Sequence, residues 1–254
     1  MFASLRRHPF AVEAFFRHSL VLTYAYPTEV LQPMLPPGLV VDSYEGCGFV
    51  AIALVQTERL RPAALPKCFG RDFFLAGYRI FSRYRRADGK VLRGLRILRS
   101  DTDRRFMVWS GNLFTGYRYQ LCRSHCERTA ATFSCTITTP GGVADVEVRA
   151  RLDRPAAAPP DGSPFPDLAV ARRFAGPLPF TFGYEAATRS MVVVQGQRED
   201  WTPMPVEVEM ARCSFLGQAP LGGLPVRLAN AFFVENIPYR WQRGVVERLP
   251  EGVG

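Results

Sequence analysis

Side chains that could act as nucleophiles are few in this chain, and lysine is the scarcest of them. Lys67 and Lys90 are the only two lysines, so 30 of the 32 basic residues are arginines. Lys90 directly follows the turn signal Asp88-Gly89, and Lys67 stands between a proline and a cysteine. We therefore expect both amines to lie in exposed loops. A nucleophilic lysine must be uncharged, which requires a desolvated or electropositive site, so neither lysine is a good candidate.

Cysteine and histidine form one compact group, Cys122, His125 and Cys126. Structural zinc sites need two close pairs of ligands, and His8 and His18 have no matching spacing. We predict no metal site. No glycine-rich phosphate loop is found, so we predict no cofactor. The chain is much longer than a disulfide-stabilised miniprotein, and we see no secretory signal at its start, so we expect free thiols and a cytoplasmic location.

Arginine gives the chain a formal net charge of +9, but the arginines are scattered instead of forming a stripe or tail. A nucleic-acid surface normally concentrates its basic residues, so we predict no nucleic-acid partner. No apolar stretch has the roughly 18 residues of a membrane span, so we predict no membrane partner. Because a guanidinium can bind a carboxylate through two hydrogen bonds, single arginines suit a small anionic ligand. Assembly into a homo-oligomer stays open.

The hydrophobic pattern predicts mostly strands. Alternation of period two is clearest in 132–138 and 146–152, and Asp88-Gly89 predicts a two-residue hairpin turn. Further strands are expected in the segments 19–24, 49–56, 78–86, 91–99, 105–114, 180–184, 190–195 and 206–214. Short helices are expected at 27–31, 167–174 and 225–233. We predict a mainly β (α+β) fold, a single domain over residues 1–254 with one large curved antiparallel sheet or barrel.

Three segments resemble the acetoacetate decarboxylase-like superfamily, in particular its uncharacterised bacterial branch. They are Tyr24–Leu39, with its Leu-Pro-Pro-Gly-Leu ending, Asn112–Gln120, and Ala219–Val226 with the apolar run behind it. The resemblance implies a cone-shaped β-barrel that encloses a cavity for a small molecule. The decarboxylases use a lysine pair for Schiff-base chemistry. The matching positions here are Tyr119 and Gln120, or Tyr117 and Arg118, so that covalent mechanism is not expected.

If this resemblance holds, the segment Asn112–Tyr119 passes through the cavity wall. On a strand, Tyr117 and Tyr119 point to one side and Arg118 to the other. The two phenols could then hold or protonate a carbonyl oxygen. The opposite register would make Arg118 an anion clamp, and in a purely structural interpretation the tyrosines only bond to the backbone.

Other candidate residues lie on the neighbouring strands. Arg79 and Arg96, on the two arms of the hairpin, could bind a carboxylate if they face inward. Glu185 and Glu207 lie on late strands, and Glu207 shares a face with Glu209. Trp201 is interpreted as a loop aromatic that covers an opening.

The assigned catalytic residues are Tyr117, Tyr119 and Glu207. Substrate binding is assigned to Arg79, Arg96, Asn112, Arg118, Gln120 and Glu185. Two functions are weighed: cofactor-independent acid–base chemistry on a small oxo- or hydroxy-acid, of a lyase, hydratase or isomerase type, and non-catalytic binding of a small molecule.

Overall fold

The computed structural model describes residues 3–176, 178–199 and 201–250. The strands are β1 (Val12–Pro27), β2 (Leu39–Val41), β3 (Cys47–Pro62), β4 (Arg71–Arg85), β5 (Val91–Thr102), β6 (Tyr119–Leu121), β7 (Arg123–Arg128), β8 (Thr132–Thr138), β9 (Val146–Arg151), β10 (Phe180–Glu185), β11 (Ser190–Arg198), β12 (Met204–Pro205), β13 (Val208–Cys213), β14 (Arg227–Trp241) and β15 (Val245–Arg248). The α-helices are α1 (Thr28–Leu31), α2 (Arg105–Phe114) and α3 (Leu168–Ala175). The predicted mainly β class with few short helices is confirmed. Among the described helices, none is long and apolar enough to cross a bilayer.

The larger sheet closes on itself. Its hydrogen-bonded order runs β14, β1, β3, β4, β5, β10 and β11, and β11 also pairs with β14, which completes a ring of seven strands. All pairs in the ring are antiparallel except β5 with β10. A closed ring leaves few strand edges exposed and gives the sheet a distinct inner and outer face.

The strand β3 is buried on both faces, which explains its unbroken apolar sequence. Ile52 and Leu54 belong to the apolar cluster on the outer face, whereas Ala51 and Ala53 belong to clusters on the inner face. At the inner face, one of these clusters includes Met107 of α2 and the other includes Ala171 and Ala175 of α3. The two helices therefore pack against the inner face of the ring.

The second sheet has four strands in the order β13, β9, β8, β7, and it packs against the outer face of the ring. In β9, buried and exposed residues alternate, as the sequence pattern predicts. Cys126 of β7 and Cys135 of β8 lie opposite each other and are disulfide-bonded. The expectation that all six thiols are free is therefore wrong for these two.

The predicted hairpin joins β4 to β5, but its turn differs from the expected one. Arg86 and Lys90 close the loop through the bond from the Arg86 N–H to the Lys90 carbonyl oxygen, 2.9 Å. Three residues lie between them, and only Gly89 has a positive φ, 84°. The turn is thus a three-residue loop with glycine in the left-handed position and not a two-residue turn.

Two elements have the opposite type of secondary structure from the one predicted. The segment 105–114, expected as a strand, is the helix α2, in which the buried residues Met107 and Gly111 are four apart. The segment 225–233, expected as a helix, is largely the start of β14, which pairs with β1. Both sides of β14 are covered over 229–234, so its sequence shows no period-two alternation that would distinguish it from a helix. The short helices α1 and α3 lie where they were predicted, and Asp167 accepts the Val170 N–H at 2.7 Å as the cap of α3.

Candidate functional site

The ring encloses a cavity of about 110 Å³, called here the inner cavity. A single water molecule needs about 10–15 Å³ on this scale, so the space holds several waters or one small organic molecule. The space exists because the inner face carries small residues. Ser19, Ala51 and Ala53 line it, whereas their neighbours Leu20 and Ile52 point outward.

Arg79 is the charged residue that β4 contributes to the inner cavity. Its Nε is buried and has no hydrogen-bond partner. Burial lowers the pKa of Arg79, and the neighbouring phenols of Tyr239, Tyr119 and Tyr117 only partly oppose that effect. No aspartate or glutamate belongs to the described part of the cavity wall. The guanidinium therefore faces the cavity without a compensating carboxylate.

Glycine makes room for this arginine. Gly77 precedes Arg79 by two residues on the same face of β4, and a Cβ atom at position 77 would lie 2.8 Å from the Arg79 Nη2. Real side chains essentially never approach so closely, so the guanidinium occupies the place of the missing side chain. The strand sequence thus specifies both the arginine and the space for it.

Tyr117 and Tyr119 both line the inner cavity, with ring centroids 6.4 Å apart. Burial raises the pKa of each phenol well above its ordinary value, so both are neutral hydrogen-bond donors. The Tyr117 hydroxyl is buried, and its side-chain neighbour in the cavity wall is Thr181. Arg118, between them, is exposed and has a positive φ of 55°.

The two tyrosines do not lie on one strand, although they were predicted as alternate residues of a strand. Tyr117 lies in the loop after α2 and Tyr119 begins β6. Asn112 fixes this loop: its side-chain amide donates to the Tyr119 carbonyl oxygen and accepts from the Tyr119 N–H, both at 2.8 Å. Gly111 leaves space for the Tyr119 ring, which a Cβ atom there would overlap. Asn112 thus positions Tyr119.

Three further residues of the inner cavity are Arg198, Trp201 and Tyr239. The Arg198 guanidinium lies 4.8 Å from the Trp201 ring centroid and interacts with the Tyr239 hydroxyl. The Trp201 Nε1 is buried and has no hydrogen-bond partner. Trp201 was expected to cover an opening, whereas Arg198 and Tyr239 were not predicted as site residues. The spacing of Tyr239 and Trp241 would have indicated a shared strand face, had this segment been recognised as part of a strand.

The other two predicted arginines, Arg96 and Arg118, line a different space, called here the outer cleft. It measures about 690 Å³ and its wall includes Arg96, Arg118, Glu185 and Asn112. Tyr117 lines both the outer cleft and the inner cavity. Because Leu95 and Ile97 line the inner cavity, Arg96 between them faces the other side of β5.

The charges of the outer cleft have partners or face solvent. Glu185 pairs with Arg7, Nη2 to Oε2 at 2.5 Å, and this hydrogen bond lowers the pKa of Glu185. Arg96 donates to the Phe182 carbonyl oxygen at 3.1 Å. Burial, followed by the nearby charge of Arg118, lowers the pKa of Arg96 to about 10. The expected inward arginine on the second hairpin arm is therefore in this cleft and not in the inner cavity.

Two predicted site residues lie away from both spaces. Glu207 is half-buried beside the four-stranded sheet, within 3.9 Å of Arg151 and 3.8 Å of Arg154. Gln120 is exposed on β6 and lines neither the inner cavity nor the outer cleft. Residue spacing shows which side chains share a face, but it does not show which face meets the cavity.

Both lysines lie outside the inner cavity. Lys67 is exposed in a short 3₁₀ turn, and Lys90 is exposed after the hairpin loop. Within the three described ranges, no three His, Cys, Asp or Glu side chains are grouped so that they could hold a metal ion.

Solved structures with a similar fold include acetoacetate decarboxylase-like proteins and an enzyme of enduracididine biosynthesis. An acetoacetate decarboxylase-like enzyme from Sphingomonas wittichii RW1 is 16% identical, with a TM-score of 0.57 over 97% of this chain and 94% of that chain. The enduracididine biosynthesis enzyme MppR, complexed with pyruvate, is 14% identical, with a TM-score of 0.60 over 94% and 90%. Acetoacetate decarboxylase from Legionella pneumophila is 14% identical, with a TM-score of 0.60 over 94% and 88%.

Within this fold class, the chain belongs to the DUF2071 family, described as uncharacterized conserved proteins, which it matches over residues 13–238. The predicted resemblance to acetoacetate decarboxylase-like proteins is confirmed at the level of the fold. No curated protein matches the chain in sequence.

Proposed function

We propose that the inner cavity binds a small oxo- or hydroxy-acid and promotes proton transfer on it without a Schiff base. One observation carries this proposal: two buried donor groups in one cavity wall, the Arg79 Nε and the Trp201 Nε1, have no hydrogen-bond partner. The Tyr117 hydroxyl, beside Thr181, lines the same wall. Unpaired buried polar groups are costly, so a ligand rich in hydrogen-bond acceptors would relieve that cost.

Arg79 is the anchor for the carboxylate. A carboxylate can accept two parallel hydrogen bonds from a guanidinium, and such charge-assisted bonds are about twice as strong as neutral ones. The wall described above supplies no carboxylate of its own, so the ligand provides the missing negative charge. MppR, which has a similar fold, is complexed with pyruvate, a small oxo-acid. In this function the chain acts as one domain, with its strand ring as a cone-shaped barrel around the ligand.

Tyr117 and Tyr119 are the hydrogen-bond donors to the oxo oxygen. In an enolisation, a proton leaves the carbon beside the oxo group for a cavity water, and negative charge develops on the oxo oxygen. A neutral phenol that donates to this oxygen stabilises that charge, and the raised pKa values keep both phenols protonated. Because neither lysine lies in the cavity, the oxo carbon has no amine to attack it.

One observation favours non-catalytic binding as a second candidate. Among the described residues of the cavity wall there is no aspartate, glutamate or histidine that could act as a general base. Water is a much weaker base, so the pocket could hold an oxo-acid and leave it unchanged.

Deuterium exchange distinguishes the two functions. The protein is mixed with pyruvate in D₂O, and both binding and loss of the methyl proton signal are followed by NMR. We expect binding and exchange faster than in buffer, with exchange reduced about tenfold or more in Tyr117→Phe. Tyr44→Phe is the control, because Tyr44 packs outside this cavity, against Phe165 and Phe174.

Binding without exchange would support the non-catalytic candidate, and absence of binding would overturn both. Borohydride added in the presence of pyruvate should leave no covalent adduct. A trapped lysine would contradict the mechanism without a Schiff base.

A further inference from the structure

A second space adjoins the inner cavity and has the opposite character. This apolar groove measures about 260 Å³ and lies between α2, the segment 8–12 and the beginning of β4. Its walls are mainly apolar, including Phe10, Leu60, Phe73, Met107 and Phe114. No aspartate or glutamate belongs to the described part of its wall.

The apolar groove and the inner cavity share part of their walls. Leu75, Tyr117, Tyr119 and Trp241 line both spaces. The rings of Tyr119 and Trp241 therefore border both the inner cavity, which Arg79 lines, and the groove. A chain attached to a carboxylate at Arg79 would have to pass between these shared side chains to reach the groove.

Large apolar side chains at the groove are left in contact with water. Phe69 is 60% exposed and Phe106 is 40% exposed, and both line the groove. Exposed apolar surface that is contiguous, as at the rim of a groove, often marks a binding site. An apolar substituent in the groove would cover it, and each buried methylene would strengthen binding.

We propose that the groove receives the apolar tail of the acid whose carboxylate binds Arg79, so that the ligands are oxo- or hydroxy-acids with an alkyl or aryl substituent. This inference rests on the proposed function, since it needs the carboxylate in the inner cavity. The combination of a cationic, donor-rich cavity and an apolar groove selects an amphiphilic acid over a purely polar one.

A homologous series of 2-oxo-acids tests the inference by calorimetry. Pyruvate, 2-oxobutanoate, 2-oxopentanoate and 2-oxohexanoate differ only in the length of the tail. We expect Kd to fall by about fourfold for each methylene, from the transfer free energy of one buried CH₂. If pyruvate binds and longer acids bind no better, the groove proposal is wrong and the proposed function survives. If none of the acids binds, both are wrong.

A filled groove gives the matched variant. Ser110 lines the groove, and its hydroxyl donates to the Phe106 carbonyl oxygen, 2.8 Å away and one turn earlier in α2. Ser110→Phe should remove the dependence on tail length while pyruvate binds as in the wild type, which also shows that the variant is folded. Ser124→Phe on β7 is the control and should retain the dependence. An unchanged dependence in Ser110→Phe would place the tail elsewhere.

Discussion

Arg79 and Arg96 lie on the adjacent strands β4 and β5, and their positions in the strand pairing differ by one residue. The two side chains face different spaces. In the ladder between β4 and β5, Arg79 pairs with Ile97 and Arg96 with Ile80. This offset turns Arg79 into the inner cavity and Arg96 into the outer cleft. Arg96 has a backbone acceptor, whereas the Arg79 Nε has none. The comparison teaches that an arginine indicates a ligand site when its surroundings leave its charge and its donors unsatisfied.

The largest expected effect separates these two arginines directly. Arg79→Met should weaken pyruvate binding by about 30-fold or more, because truncating one partner of a buried charge pair costs about 2–5 kcal/mol. Arg96→Met should change Kd by less than about threefold. Calorimetric titration of both variants checks this. Equal losses in the two variants would contradict the distinction between inner cavity and outer cleft.

The same variant carries a stability test. Without ligand, Arg79→Met should be as stable as the wild type or more stable, because it replaces a buried charge that has no carboxylate partner by apolar volume. Arg85→Met, at an exposed position of the same strand, controls for loss of charge. A strong destabilisation by Arg79→Met would indicate a structural arginine and not one reserved for a ligand.

The next effect concerns acid stability and belongs to the outer cleft, which His8 lines. Burial lowers the pKa of His8 from 6.5 to about 4. As the pH falls, His8 is protonated in the unfolded chain before it is protonated in the folded protein. The free energy of unfolding therefore decreases as the pH falls from 6.5 towards 4. A shift of this size corresponds to about 3 kcal/mol. His8→Gln should remove that part of the loss in urea unfolding followed across this pH range.

The exposed His125 provides the control for that experiment. His125→Gln should follow the wild-type pH dependence. Parallel curves for wild type and His8→Gln would show that other groups control acid stability. Half-buried His18, whose pKa burial also lowers, contributes equally to both curves and cancels from the difference.

The smallest expected effect returns to the inner cavity. Gly77→Ala places a methyl group against the Arg79 guanidinium and should shift it, which weakens pyruvate binding by about tenfold. The arginine side chain is flexible enough to move, so the fold should persist, as far-UV circular dichroism can verify. Gly89→Ala is not a matched control because of its positive φ. Ala76→Gly, the adjacent position facing outward, tests whether any change in β4 has the same effect.

The sequence identified part of this arrangement for the wrong reason. Tyr117 and Tyr119 were selected as alternate residues of one strand, and they reach the same cavity because Arg118 adopts a left-handed conformation in a loop. Helix α2 could not be distinguished from a strand in the sequence. The surface that buries its apolar face is the end of the strand ring, which is built from segments distant in sequence. Local patterns therefore identified the residue types but not this backbone path.

Other parts were predictable because the pattern itself carries the information. The alternation in β9 and the Asp167 cap of α3 depend on neighbours in sequence, and both were found. Glu207 shows what residue spacing cannot predict. The spacing placed Glu207 on one face with Glu209, but it did not show that Glu207 pairs with Arg151 and Arg154 beside the four-stranded sheet, away from the inner cavity. Tyr239 was missed because no strand was predicted beyond residue 233, so its place on β14 and its alternation with Trp241 were not recognised.

Three glycines have a consequence for comparing members of the family. Gly77, Gly111 and Gly196 each leave a vacancy that a larger side chain occupies, namely Arg79, Tyr119 and Tyr239. A homologue with alanine at one of these glycines would lack space for the corresponding partner in this position. Each glycine and its partner should therefore be gained or lost together during evolution. Their joint presence would mark the homologues that share the ligand of this chain.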